Sequence, residues 1–361
     1  MKRSWTLAAR TLTATAIALA VGAQAAPRTQ DELASGEVAR VQTTMHSSKA
    51  FHRASEDVVV TVTFSNTGSA AVTLPQWLFA ADDMDRSFLK VSRNGEAAGY
   101  TGALVKRASP TANELIVLMP GESVNASYEL SGSFDLSQGG NYAVSFAGAP
   151  QNAATTALPP SAEIAIGVEA NPFRDLISTV DYQKAAGAGG ISYTGKCTAS
   201  QQSALVTALS NALVYSDGAK SYLTNTTPSG TTRYKTWFGT FSSTNWNTVK
   251  THYTNISSVY NTQPIVFDCS CKKTGTYAYV YPTQPYKIYL CGAFWNAPAT
   301  GTDSKAGTLV HETSHFTVVA GTQDYAYGQT AAKSLALSNP AQAIMNADSH
   351  EYFAENTPAL P

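Results

Sequence analysis

The feature that most constrains this chain is a short motif, His311-Glu312-x-x-His315, which directly follows the apolar residues Leu309 and Val310. On an α-helix, positions i and i+4 lie on the same face, so both imidazoles can reach one metal ion while Glu312 reaches a water bound to it. Histidine is scarce here, with six in 361 residues. The motif therefore predicts a helix that carries a zinc site of the kind found in metalloproteases.

A zinc ion with two histidine ligands needs a third protein ligand, and the next segment offers one. Six residues after His315 begins Gly321-Thr-x-Asp324-x-x-Tyr327-Gly328. An aspartate at this short range can complete the site, and a tyrosine hydroxyl can donate a hydrogen bond to a developing oxyanion. The segment argues against the alternative that both histidines are ordinary residues on a helix surface.

Together the two motifs resemble the aspzincin metallopeptidases, the deuterolysin family. The resemblance implies one zinc ion with three ligands, His311, His315 and Asp324. It also implies that Glu312 is the general base and that Tyr327 hydrogen-bonds the oxyanion. Tyr325 is the rival for this last role, and the motif spacing favours Tyr327.

A second acidic cluster contains Asp348-x-x-Glu351. Carboxylates three residues apart share a helix face, where they form either a solvated surface or a site for a cation. From about residue 192 to the C-terminus the chain is similar to the peptidyl-Lys metalloendopeptidase branch of the family, for example over residues 290–295. In that branch such a pair lines the pocket for the lysine ammonium, which implies cleavage on the amino side of lysine. For His350 we expect a structural or surface role.

The C-terminal half contains four cysteines, Cys197, Cys269, Cys271 and Cys291. Disulfides are favoured over a second metal site, because Cys269-x-Cys271 is a poor zinc spacing. The residues alone allow three pairings, and two cysteines one residue apart are not expected to pair with each other. The family resemblance implies Cys197 with Cys269 and Cys271 with Cys291.

The N-terminus has the pattern of a secretory signal peptide, with Lys2 and Arg3 before an apolar run at 16–21 and small residues at Ala23 and Ala25. A net charge of −1 and 14% charged residues favour neither nucleic acid nor a membrane as a partner. We therefore expect a secreted, extracellular monomer that acts on protein and peptide substrates containing lysine.

The first half of the chain is patterned differently from the second. β-Branched runs such as 58–64 and 141–146 are separated by turn signals such as Asn94-Gly95, which is typical of an antiparallel β-sandwich of immunoglobulin-like type. Helical periodicity after a Ser200 cap and over residues 243–260 predicts a helix-rich second half. The predicted fold is therefore two-domain, an all-β pro-domain followed by an α+β, zincin-type metalloprotease domain.

Four segments are expected: a signal peptide (1–25), a β-sandwich pro-domain (26–170), a linker with the processing site (171–191) and a zinc catalytic domain (192–361). The resemblance and the Gly-rich linker favour a pro-domain that inhibits the enzyme over a binding module that is retained. Lys184 is a candidate to occupy the acidic pocket and mark an autocatalytic cut after Gln183. The alternative is an ordinary solvated lysine with the cut elsewhere.

The sequence leaves two other functions open. In a broad-specificity deuterolysin-like protease, Asp348 and Glu351 would merely form a charged surface. A secreted binding protein on an inactive protease fold would be expected to have lost at least one ligand. Because the motif residues are complete, the sequence favours an active, secreted zinc endopeptidase made as a zymogen.

Overall fold

The structure is a computed structural model that describes residues 38–79, 85–149, 155–170 and 190–361. The predicted signal peptide, Lys184 and nearly all of the predicted linker lie outside these described residues. Residues 39–361 belong to one unit. Within the described ranges, no helix is both long and apolar enough to cross a membrane.

Strands dominate the N-terminal region, as the alternating pattern predicts. In Val59–Asn66, alternate residues such as Val60 and Val62 are fully buried, because successive side chains of a strand point to opposite faces. Two short 3-10 helices, Gln76–Phe79 and Ala112–Glu114, accompany the strands. The strands are β1 (Val41–Ser47), β2 (Phe51–His52), β3 (Val59–Asn66), β4 (Val72–Pro75), β5 (Leu89–Arg93), β6 (Glu96–Ala97), β7 (Leu104–Arg107), β8 (Leu115–Leu118), β9 (Ser123–Glu129), β10 (Gly140–Phe146) and β11 (Ile164–Val168).

Two sheets of this region share one apolar core. One has the order β1-β3-β9 and the other the order β2-β11-β10-β5-β6, while β4 and β8 form a separate pair. Phe64 of β3 and Phe146 of β10 meet edge to face with ring centroids 5.3 Å apart, and both belong to the common core. The N-terminal region is therefore β-rich, and its immunoglobulin-like type stays a prediction.

Helices dominate the C-terminal region, which confirms the helix-rich prediction. The first helix is capped by Thr198, whose hydroxyl accepts from the Gln201 N–H, so it begins slightly before the expected Ser200. Four short strands are β12 (Ile191–Thr194), β13 (Ile265–Asp268), β14 (Thr276–Val280) and β15 (Lys287–Leu290). The helices are α1 (Ala199–Asn225), α2 (Thr232–Phe238), α3 (Ser243–Thr262), α4 (Gly292–Asn296), α5 (Lys305–His315), α6 (Gly328–Ser338), α7 (Pro340–Ala343) and α8 (Ala347–Glu355).

The C-terminal sheet includes a strand from the N-terminal region. Its order is β12-β13-β15-β14-β7. Strand β7 runs antiparallel to β14, with Val105 opposite Tyr279 and Lys106 opposite Ala278. The segment expected to form a separate sandwich therefore contributes the last strand of the sheet next to the motif helix α5.

Both disulfides have the pairing that the resemblance implied. Cys197 is bonded to Cys269, and Cys271 to Cys291. The first bridge spans 72 residues and connects the chain before α1 to the end of β13. Since a cross-link restricts the unfolded chain, both bridges stabilise the sheet that supports the motif helix.

Candidate active site

The helix α5 positions the motif residues. It packs against α1 and α8, so His311, Glu312 and His315 are all fully buried. In the loop before α6, Asp324 approaches both rings, with its Oδ1 3.1 Å from His311 Nε2 and its Oδ2 3.4 Å from His315 Nε2. The structure thus brings three predicted ligands into one group, hereafter the metal cluster (His311, His315 and Asp324).

The second nitrogen of each ring lies close to an oxygen, although at His311 Nδ1 the contact is not aligned as a directed hydrogen bond. His315 Nδ1 lies 2.9 Å from the carbonyl oxygen of Thr322, and His311 Nδ1 lies 2.8 Å from Oδ1 of Asp348. An oxygen at Nδ1 favours the tautomer that carries its proton there, which leaves the Nε2 lone pair for a metal. Both rings therefore direct Nε2 towards Asp324.

Next to the metal cluster lies a pocket of carboxylates. Asp348 and Glu351, on the buried face of α8, have side chains at most 2% exposed. Asp303, just before α5, is 41% exposed and completes the acidic pocket (Asp303, Asp348 and Glu351). The predicted acidic pair is thus a buried group and not a solvated helix face.

The acidic pocket holds the ammonium group of Lys106, from β7. Its Nζ lies 2.5 Å from Glu351 Oε2, 3.4 Å from Asp348 Oδ1 and 3.6 Å from Asp303 Oδ1. Burial alone would lower the pKa of Lys106, but Asp348, Glu351 and Asp303 outweigh it and hold the pKa well above its usual value. Lys184, the lysine considered for this position, lies outside the described residues. Sequence reasoning missed Lys106, which stands in a β-strand without any motif around it.

Aromatic rings surround the same ammonium. Its Nζ lies 5.2 Å from the ring centroid of Tyr277 and 5.9 Å from that of Tyr352, within the range of cation–π attraction. The Tyr352 hydroxyl also donates to Asp303 Oδ1 at 2.7 Å, which orients the more exposed carboxylate. For Tyr277, Tyr352 and Asp303, the only signal in the sequence was the similarity of their segments to the lysine-selective branch.

The predicted oxyanion donor contacts the same strand. The hydroxyl of Tyr327 donates to the carbonyl oxygen of Val105 at 2.9 Å. That carbonyl belongs to the peptide bond on the amino side of Lys106. Tyr325, the rival, is 38% exposed, and the role of Tyr327 as oxyanion donor stays a prediction.

Comparison with known proteins agrees with the geometry. The family described as "Lysine-specific metallo-endopeptidase" matches residues 222–355. An extracellular protease of Aeromonas hydrophila is 40% identical to the chain over 84% of this chain and 89% of its own length. The chain belongs to the aspzincin family. It is therefore a metalloendopeptidase.

Other aspzincins are similarly close. The peptidyl-Lys metalloendopeptidase of Armillaria mellea is 41% identical over 84% of this chain and 88% of its own length. A solved structure described as a zinc peptidase from Grifola frondosa is 55% identical and covers 46% of this chain and 100% of that chain, with a TM-score of 0.43.

The residues of this aspzincin fit a zinc ion. Nε2 of both histidines, both oxygens of Asp324 and both oxygens of Glu312 are buried, yet none has a directed hydrogen bond to a partner among the described residues. Buried polar atoms are rarely left in this state, so the arrangement is suited to an ion and a water molecule. Two imidazoles and one carboxylate with an open position form the donor set of catalytic zinc.

The environment of the metal cluster shifts the pKa values of Glu312 and Asp324 in opposite directions. Burial raises the pKa of Glu312 to about 7, a range in which a carboxyl group can both accept and return a proton. Burial would also raise the pKa of Asp324, but His315 and His311 outweigh it and hold the pKa well below its usual range. Asp324 is therefore ionised, as a metal ligand must be.

His350 is outside the metal cluster, as expected. Its Nε2 lies 3.0 Å from Nδ1 of His252 on α3, and its Nδ1 lies 2.9 Å from the carbonyl oxygen of Asn346. Burial lowers the pKa of His350 to about 3. The two histidines therefore form a neutral, structural contact between α3 and α8.

Proposed function

We propose that this aspzincin is a secreted zinc endopeptidase, made as a zymogen, that hydrolyses peptide bonds on the amino side of lysine. The contacts of Lys106 support the proposal most directly. Its ammonium lies in the acidic pocket, while the carbonyl before it accepts a hydrogen bond from Tyr327. A substrate lysine held in the same way would present the bond on its amino side to Tyr327 and to the metal cluster.

Each role follows from the chemistry of the side chain. His311, His315 and Asp324 would hold zinc, which lowers the pKa of a bound water and polarises a carbonyl when it is present. Glu312 takes the proton from the attacking water and returns it to the leaving amide nitrogen. The hydroxyl of Tyr327 donates to the carbonyl oxygen as negative charge develops on it.

The charge of the acidic pocket explains selectivity for lysine. A neutral side chain in the pocket would leave two buried carboxylates without a counter-charge, which is strongly unfavourable. The compact ammonium of lysine reaches all three carboxylates, as the distances to Lys106 illustrate. Because the planar guanidinium of arginine differs in size and in donor geometry, we expect it to fit less well.

The N-terminal region is proposed to be a pro-domain that inhibits the enzyme. Strand β7 pairs with β14, and Lys106 fills the pocket that a substrate needs. Beside it, Arg107 Nη1 lies 2.7 Å from Asp85 Oδ2, and the guanidinium lies 4.2 Å from the ring centroid of Trp77. These contacts fix β7 to the N-terminal region and hold the blocking lysine in position.

Secretion and maturation complete the proposal. The signal-peptide pattern, the two disulfides and the extracellular protease among the relatives support secretion, and the monomeric state stays a proposal. The processing site in the linker, with Lys184 as its marker, stays a proposal. Mapping the mature N-terminus of the wild-type protein and of Lys184→Ala tests it, and a terminus far from residue 184 would reject it.

The alternatives fit the site less well. A broad-specificity protease accounts for Asp348 as a partner of His311, but it gives no role to the contact of Asp348 and Glu351 with a buried ammonium group. A binding protein on an inactive fold gives no role to the complete metal cluster and its unpartnered buried atoms.

The decisive experiment is a digest of a denatured protein mixture by the matured enzyme, with every new N-terminus identified by mass spectrometry. We expect new termini that begin with lysine, loss of cleavage with a chelator and its recovery with zinc. Glu312→Ala should retain zinc and lose cleavage. Mixed termini would support the broad-specificity protease, and an absence of chelator-sensitive cleavage would support the binding protein.

A further inference from the structure

We propose that the Val105–Lys106 peptide bond is itself a cleavage site of the enzyme's own active site, so that the precursor is cut within β7 in addition to any cut in the linker. This inference rests on the proposed function, because it assumes an enzyme that cuts before lysine. It goes further by assigning one specific bond of the chain as an intramolecular substrate.

The first observation is the conformation of the segment. Leu104–Arg107 is an extended strand that pairs antiparallel with β14, with Val105 opposite Tyr279 and Lys106 opposite Ala278. An extended peptide that adds a strand to an exposed sheet edge is held by its main chain, which leaves its side chains to fill specificity pockets. The segment thus adopts the form of a bound peptide.

The second observation is the register of the segment in the cleft. The side chain after the bond enters the acidic pocket, and the carbonyl oxygen of the bond accepts from Tyr327 at 2.9 Å. These two contacts lie on either side of the Val105 carbonyl carbon. A shift of the strand by one residue would break both, so the register selects this one bond.

The third observation is that both sides of the bond are anchored. Upstream, the carbonyl oxygen of Ala103 accepts from the Tyr100 hydroxyl at 2.7 Å, and Leu104 is fully buried. Downstream, Arg107 pairs with Asp85 at 2.7 Å. Both new ends would therefore stay in place after the cut. This explains how one segment can be a substrate and still block the cleft.

The proposed step is an ordinary hydrolysis. Water adds its oxygen to the carbonyl carbon of Val105, the bond to the amide nitrogen of Lys106 breaks, and the nitrogen receives a proton by way of Glu312. The products are a carboxylate at Val105 and an amine at Lys106. No reactant other than water is consumed.

The test uses the purified full-length precursor, loaded with zinc and sampled over time. Samples are denatured, and new N-termini are labelled and identified. We expect a fragment that begins at Lys106, formed at a first-order rate that does not depend on protein concentration, as an intramolecular cut requires. Before denaturation, the cut protein should elute at the size of the intact precursor, because both ends remain anchored.

Three variants control the experiment. Glu312→Gln should form no Lys106 terminus, and Lys106→Gln should remove this terminus alone. Lys90→Gln changes an exposed lysine of β5 and should leave the cut unchanged. If Lys106→Gln does not fold, the wild-type protein and Glu312→Gln still decide the question, since neither alters the segment.

The outcomes separate the inference from the proposed function. If the matured enzyme cuts peptides before lysine while Val105–Lys106 stays intact in the precursor, the inference is wrong and the proposed function stands. If the enzyme never cuts before lysine, both are wrong. A Lys106 terminus that also forms in Glu312→Gln, or a rate that rises with protein concentration, would assign the cut to another molecule and overturn the inference.

Discussion

Asp348 Oδ1 lies 2.8 Å from His311 Nδ1, and the same oxygen lies 3.4 Å from the ammonium of Lys106. The other carboxylate oxygen accepts from the Gly328 N–H at 2.6 Å. One residue therefore contacts both the metal cluster and the occupant of the acidic pocket. A carboxylate at the outer nitrogen of a metal-bound histidine orients the ring and strengthens its binding, so Asp348 connects the acidic pocket to the metal cluster.

Asp348→Asn should weaken both functions of this residue. We expect zinc affinity to fall by about 10–100-fold, the usual effect of losing such a partner, together with a rise in KM for lysine peptides. Glu351→Gln is the matched comparison, since Glu351 Oε2 is 3.4 Å from His311 Nδ1. It should raise KM while changing zinc affinity less. Chelator competition and steady-state kinetics on the matured enzymes measure both effects, and equal zinc affinities in the two variants would contradict this role for Asp348.

Asp303→Asn should reduce the preference for lysine only modestly. The carboxylate is 41% exposed and 3.6 Å from the ammonium, and exposed ion pairs contribute about 0–1 kcal/mol. We therefore expect kcat/KM for a lysine peptide to fall by about fivefold or less. Asp217→Asn, an exposed change on α1, should have no effect. A loss as large as that of Glu351→Gln would show that Asp303 binds lysine more strongly than its exposure suggests.

Lys106→Gln should open the precursor to added substrate. Removing the ammonium leaves Asp348 and Glu351 unpaired in a buried site and weakens the fit of β7. We expect the unprocessed variant to hydrolyse a lysine peptide at least about tenfold faster than the wild-type precursor, which corresponds to about 1.4 kcal/mol of lost inhibition. Initial rates measured before any processing, with Lys90→Gln as the control, provide the measurement. Equal rates would mean that Lys106 does not block the site.

The buried histidine pair should make the protein sensitive to acid. Burial lowers the pKa of His252 to about 4 and that of His350 to about 3, whereas an unfolded histidine titrates near 6.5. Below about pH 6.5 the unfolded state therefore binds more protons than the folded state. The free energy of unfolding is highest above this pH and decreases as the pH falls. Between pH 7 and pH 5 we expect a loss of about 2 kcal/mol per histidine.

His252→Asn should reduce this loss of stability. The variant is compared with the unchanged chain in a Glu312→Gln background, which prevents self-digestion, by urea denaturation at pH 7 and pH 5. The fall in stability on acidification should be smaller by about 2 kcal/mol. The same fall in both proteins would assign the acid sensitivity to other groups.

Short-range patterns predicted which side chains of the candidate site lie close together. His311, Glu312 and His315 are related by one helical turn, and Asp348 and Glu351 share a helix face, so their local spacing already indicated which side chains act together. The family resemblance implied roles for Asp324 and Tyr327, which stay predictions, and it implied the disulfide pairing that the structure has. These features could be predicted because they depend on residues that are close in the sequence or on motifs whose order along the chain is fixed.

The sequence by itself determined which side chains can bind a metal and transfer a proton in this protein. The tertiary structure decided which residue occupies the acidic pocket. Lys106 lies 242 residues before Asp348 and has no motif around it, so no local pattern could separate it from the other lysines. Its position depends on the pairing of β7 with β14, a long-range contact that many side chains determine together. For that reason only the folded chain reveals that the ammonium of Lys106 lies in the acidic pocket.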